Sequence, residues 1–190
     1  MSALAHEPAR RAPAPRGVKV WDIATRAFHW SFALCFAGAW LTAESERYRD
    51  VHVLLGYTML GLVAFRVLWG FAGPANARFT SFVRGPAAIA RYLRSLLSAK
   101  PEHHLGHNPA GAVAIMLLLA LAALAGVTGW ATYEGLGGEW LEESHEFLAS
   151  AMLAVVGVHL AGVAVASWLH RENLVRAMLT GRKDAPDASP

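Results

Sequence analysis

The sequence predicts an all-α integral membrane protein: a four-helix bundle with both termini in the cytoplasm. Three observations predict it. The 190-residue chain is 55% hydrophobic but only 16% charged, with mean hydropathy +0.33, whereas a soluble domain carries about 25% charged residues. Its apolar residues gather into four stretches, and about 20 apolar residues suffice to cross the hydrocarbon core. Finally, His145 and His159 lie fourteen residues apart on one of these stretches. That spacing places them on nearly one face and about 21 Å apart along a helix.

The expected spans are 27–43, 51–72, 109–133 and 146–169. The first is the shortest. It has a histidine, His29, near its start and is expected to be retained rather than cleaved as a signal peptide. Residues 1–19, rich in Ala, Pro and Arg, are expected to form a disordered cytoplasmic arm, and 181–190 a disordered tail, around one domain at 20–180. Residues 86–99 begin with Pro86 and space Ile89, Leu93, Leu96 and Leu97 helically. They suit a short amphipathic helix on the inner surface or a plain connector.

Orientation follows from the cations. Arg10, Arg11, Arg16, Lys19 and Arg26 precede the first span. Arg78, Arg84, Arg91, Arg94 and Lys100 occupy the middle loop, and Arg171, Arg176, Arg182 and Lys183 follow the last span. The positive-inside rule then puts both termini and the middle loop in the cytoplasm. The outer loops are acidic, with Glu44, Glu46 and Asp50 beside Arg47 and Arg49 in one, and Glu134, Glu139, Glu142 and Glu143 with no Lys or Arg in the other. They either attract a cationic soluble partner or are simply solvated. The basic inner face needs no nucleic acid to explain it. Cys35 is the only cysteine and there is no C-x-x-C-H, which excludes a disulfide framework, an iron–sulfur cluster and covalent haem attachment.

Of nine histidines, His6, His103, His104, His107 and His170 lie near water. The other four fall at two depths. His52 starts the second span and His145 the fourth, both on the outer side; His29 and His159 lie on the inner side. Ionisable groups at such depth are costly and usually functional. Two histidines per level are too few for a structural zinc site. They suit haem, which brings four nitrogens and needs two axial imidazoles; filling both axial positions favours electron transfer over oxygen binding. Gly56, one turn after His52, leaves room for a porphyrin edge or merely for close helix packing. Arg66 lies fourteen residues after His52, at the inner level. It either meets a haem propionate or snorkels to the inner headgroups.

RAFHW at 26–30, VHVLLGY at 51–57, FRVLWGF at 65–71, HNPAGA at 107–112, SHEFLASAMLAVVGVHLAG at 144–162 and RENLVRAM at 171–178 resemble the bacterial cytochrome b561 family. That family is grouped with the b-type cytochrome subunits of nickel–iron hydrogenases. The resemblance covers nearly the whole chain beyond the tails. It implies two haem b groups with axial pairs His52/His145 and His29/His159, and electron transfer between quinone and a redox partner. The partner would be a periplasmic c-type cytochrome or a dehydrogenase or hydrogenase subunit; membrane lipid and a second copy of the chain complete the expected contacts. In related formate dehydrogenase membrane subunits a quinone sits where HNPAGA falls here. This makes Asn108 and His107 candidate quinone contacts, with helix capping by Asn108 as the plain alternative. The outer loop around Trp140 is the other candidate. Two competing functions remain: a self-contained oxidoreductase passing electrons from a small donor such as superoxide to quinone, and a membrane anchor without haem.

Overall fold

Helix α1 starts where its first free N–H groups find a partner. Asp22 accepts hydrogen bonds from the Thr25 backbone N–H at 3.0 Å and from its hydroxyl at 2.6 Å, as an N-cap does. Burial pushes the Asp22 carboxyl up, but hydrogen bonds from Thr25 and the Trp69 indole outweigh it and hold the group below its usual value. The helix then runs from Ile23 to Thr42, beginning four residues before the expected span. The computed structural model describes residues 17–95, 106 and 108–183.

Three further long helices follow: α2 at Arg49–Ala72, α5 at Pro109–Tyr133 and α6 at Glu139–Leu169. Between α2 and α5 lie two short ones, α3 at Phe79–Phe82 and α4 at Pro86–Ser95. A last one, α7, covers Leu174–Thr180. Among the described residues three helical segments, Glu46–Ala72, Pro109–Tyr133 and Glu139–Leu169, are long and apolar enough to cross a membrane, and α1, which holds the first expected span, is not one of them. At 31 residues α6 is about 46 Å long, more than a hydrocarbon core needs. The excess is its start, where Glu139, Glu142 and Glu143 sit with the positive end of the helix dipole. The expected helix at 86–99 is seen as α4, with 96–99 outside the described residues. It packs against α5. The residue it buries is Tyr92, 2% exposed, while Leu93 faces outward. Within the described residues it is the aromatic ring that seats this helix.

The long helices pack in chain order: α1 along α2, α2 along α5, α5 along α6. Small residues allow it. Gly38 of α1 faces a Leu55 methyl, and Gly126 of α5 faces Leu60, where a Cβ would come within 2.9 Å and 2.5 Å. The central cluster is Met59 and Val63 from α2, Leu119 and Ala122 from α5, and Met152 from α6, flanked by Phe28, Phe32 and Phe36 of α1. Helices α1 and α6, first and last, are not packed along each other.

The expected arm and tail need correcting at their inner edges. Val18–Lys19 (β1) pairs antiparallel with Arg182–Lys183 (β2), Val18 opposite Lys183. Gly181 makes this possible. Its φ of 78° ends α7 in the left-handed conformation that suits glycine, and its carbonyl accepts from Val20 N–H at 2.9 Å and Trp21 N–H at 3.1 Å. Both described ends of the chain therefore meet at one end of the bundle, here the terminal end. The rest of the arm and tail lies outside the described residues.

Candidate metal centres

At the distal end, away from the termini, the second and fourth long helices each offer a histidine near their start. The His52 and His145 rings face each other with centroids 6.1 Å apart and planes at 86°. Metal–imidazole bonds of about 2.0–2.1 Å on both sides of one ion would separate the ring centroids by about 6 Å.

Each ring is also fixed from behind. His52 Nδ1 lies 2.9 Å from the Ala39 carbonyl, and His145 Nδ1 lies 2.8 Å from the Ala125 carbonyl. A carbonyl can only accept, so each Nδ1 carries a proton, which in a neutral imidazole leaves the lone pair on Nε2. That is the tautomer and the outer support a metal-bound imidazole takes. Ala39 belongs to the last turn of α1, where carbonyls have no partner within the helix; Thr42 Oγ1 also donates to it at 3.2 Å. Ala125 is reached because Gly129, one turn later on α5, has no side chain. A Cβ there would stand 2.8 Å from His145 Cε1 and 2.9 Å from Nδ1. A Gly129→Val protein is therefore expected to push the His145 ring off the Ala125 carbonyl, read as a change in the histidine imidazole signals in nuclear magnetic resonance.

Toward the terminal end, His29 on α1 and His159 on α6 lie within electrostatic reach of each other. Their support differs. His29 Nδ1 is buried without a hydrogen-bond partner, as is the indole N–H of the adjacent Trp30. The Trp30 ring meets His29 edge-on at 5.0 Å.

Arg66 is 2% exposed, so it does not snorkel to a headgroup. Its Nη2 donates to the Ala77 carbonyl at 3.1 Å, and its guanidinium carbon sits 4.9 Å over the Phe79 ring. Nη1 is buried with no partner. The acids of the long helices, Asp50, Glu139, Glu142, Glu143 and Glu146, all lie near the distal starts of α2 and α6, whereas Asp22, one residue ahead of α1, acts electrostatically on Arg66. Its carboxylate oxygens are engaged by Thr25 and Trp69. The open Nη1 remains a donor that suits an anionic group.

Gly56 borders open space: a Cβ there would meet nothing within 4 Å. No neighbouring helix packs closely against it, as is also so at Gly61, Gly157 and Gly162. Asn108 is a helix cap, its Oδ1 accepting from Gly111 N–H at 2.7 Å with Pro109 as first residue of α5. His107 lies outside the described residues. Trp140, with Glu143, Ser144, Phe147 and Leu148, lines an open groove at the distal end of α6.

Among the described residues, no three ligand-type side chains converge on one point. The donor set is histidine in twos, which is what an iron already held in a tetrapyrrole takes. The Nδ1 supports, the open Gly56 and the orphaned Arg66 Nη1 fit that group.

The family described as prokaryotic cytochrome b561 matches residues 20–181. The chain belongs to this family. Cytochromes b561 bind haem b in a bundle of membrane helices. The chain is also similar to a protein of Azotobacter chroococcum mcd 1 named as a probable Ni/Fe-hydrogenase B-type cytochrome subunit. The two are 25% identical over 221 residues, covering 90% of this chain and 91% of that one. No solved structure matches the chain.

Sequence reasoning alone missed Gly129, the Ala39 and Ala125 carbonyls, Trp30, Asp22 and Phe79. The first three act through backbone geometry on a neighbouring helix, which leaves no local pattern. The only advance signal was a glycine inside an apolar span.

Proposed function

We propose that the chain is a di-haem b-type cytochrome of the bacterial inner membrane, passing electrons between the quinone pool and a redox partner. In this reading it crosses the membrane four times, with the terminal end cytoplasmic. The observation that carries it is the His52–His145 pair, 6.1 Å apart with both Nδ1 atoms committed to carbonyls.

His52 and His145 would hold one haem and His29 and His159 the other. Held by two imidazoles, each haem would supply a one-electron carrier rather than an oxygen-binding site. The Ala39 and Ala125 carbonyls keep the distal imidazoles in the ligating tautomer. Arg66 would offer Nη1 to a propionate, and Gly56 would leave space for the ring edge. Asn108 spends its Oδ1 on the cap, and its Nδ2 would be the donor to a quinone carbonyl, with His107 beside it in sequence. The groove at Trp140, edged by acids able to take protons from a quinol, is the second place for that substrate.

For the partner, the near full-length likeness to a hydrogenase-type cytochrome subunit supports a dehydrogenase or hydrogenase subunit; the acidic outer loops support a basic c-type cytochrome. The same acidic loops disfavour an anionic donor such as superoxide.

A reduced-minus-oxidised spectrum with pyridine haemochrome quantification tests the proposal. The expected result is a b-type α-band with about two haems per chain. An apo protein after expression with ample haem would leave a membrane anchor.

A further inference from the structure

The two histidine pairs are held in different ways, and this raises the question of what sets the second pair's spacing. At the distal end each imidazole is braced by a carbonyl of a neighbouring helix. His29 has no such brace at Nδ1. Its position must come from where α1 stands relative to α6, yet these two helices are not packed along each other.

What joins them is at the terminal end. Arg26, three residues before His29 and so one turn away on a shared face, reaches into the last turn of α7. Its Nε donates to the Met178 carbonyl at 3.2 Å and its Nη2 to the Leu179 carbonyl. Gly181 then turns the chain so that its carbonyl takes the Val20 and Trp21 N–H groups, and β1 pairs with β2. Lys183 Nζ meets Glu172 at 3.0 Å in a largely buried ion pair, which fastens β2 back to the turn after α6. That turn is itself tight, with Arg171 at φ 51°. From the other side, Asn76 Nδ2 donates to the Val20 carbonyl at 3.2 Å and the Trp69 indole to Asp22. The segment between β1 and α1 is thus pinned on both flanks.

We infer that this clasp between the chain's two described ends sets the α1–α6 separation at which His29 and His159 share one haem. Arg26 and Gly181 are positioning residues for that pair. The inference rests on the di-haem reading above.

The test uses the full chain with Cys35→Ala and spin labels at Ile23→Cys and Trp168→Cys, both exposed positions on α1 and α6 near the terminal end. Arg26→Gln removes the grip on α7. Gly181→Ala places a Cβ 2.7 Å from the Trp21 carbonyl oxygen at a strained φ. Each is expected to lengthen or broaden the label-to-label distance. Each is also expected to shift or abolish the haem signal in electron paramagnetic resonance that His159→Ala lacks, sparing the signal that His145→Ala lacks. A disulfide between Lys19→Cys and Arg182→Cys, opposite each other in the β1–β2 register, is expected to restore both readouts in the Arg26→Gln protein. An unchanged distance with an unchanged signal would overturn the inference. So would parallel loss of both haem signals that the disulfide does not restore, because that marks general destabilisation. If His159→Ala removes no haem signal, the di-haem reading has failed instead, and the label distance alone still decides whether the clasp spaces the helices.

Discussion

A His145→Ala protein is expected to fold, insert and retain one b-type haem per chain in place of two. His145 and His52 face each other across 6.1 Å, so removing either leaves the other as a lone ligand. His29 and His159 stand at the other end of the bundle and keep their own pair. His52→Ala should give the same spectrum as His145→Ala, and His159→Ala should give the complementary one. The measurement is haem per chain by pyridine haemochrome, with low-temperature spectra to separate the components. Equal loss of both components from a bundle that stays helical would sink the two-centre reading.

The second large effect is expected at Arg66. Arg66→Met keeps a long apolar stem but removes the charge, the bond to the Ala77 carbonyl and the contact with Phe79. Leaving a buried carbonyl unsatisfied costs about 1–3 kcal/mol, and a desolvated cation–π contact adds about 2 kcal/mol. Thermal unfolding in detergent should show the loss. A buried cation also favours the more negative, reduced state of a nearby redox group. The midpoint potential of the component lost in His159→Ala should therefore fall in Arg66→Met, while the other component holds. A potential unchanged at both centres would assign Arg66 to the packing of residues 77–79 alone.

Much of this site was legible in the linear chain because its chemistry is periodic. Fourteen residues between His145 and His159, and again between His52 and Arg66, are two heptads, and a helix converts that interval directly into depth and direction. Asn108–Pro109 announced the start of α5, since a side-chain cap followed by proline is a local signal. Other features depend on contacts between helices. Nothing near Gly129 says that His145, sixteen residues on, will lie against it. Nothing around Ala39 marks its carbonyl as the seat of His52. The pairing of β1 with β2 brings together residues more than 160 positions apart, in segments whose composition resembles a disordered arm. The first helix began earlier than hydropathy suggests because Asp22 caps it, a polar interaction that an apolar window scores as a break.

The bond between His52 and Ala39 makes α1 answer to both ends of the molecule. The helix carries His29 near one end and, three turns later, the carbonyl that seats His52 near the other. Its ten-residue interval from His29 to Ala39 is consequently a gauge block: one residue more or fewer would turn that carbonyl by about 100° and slide it about 1.5 Å, unseating a ring on a different helix without touching any histidine. A change of length in a loop would leave this spacing alone, whereas the count from His29 to Ala39 is fixed by the ring it seats.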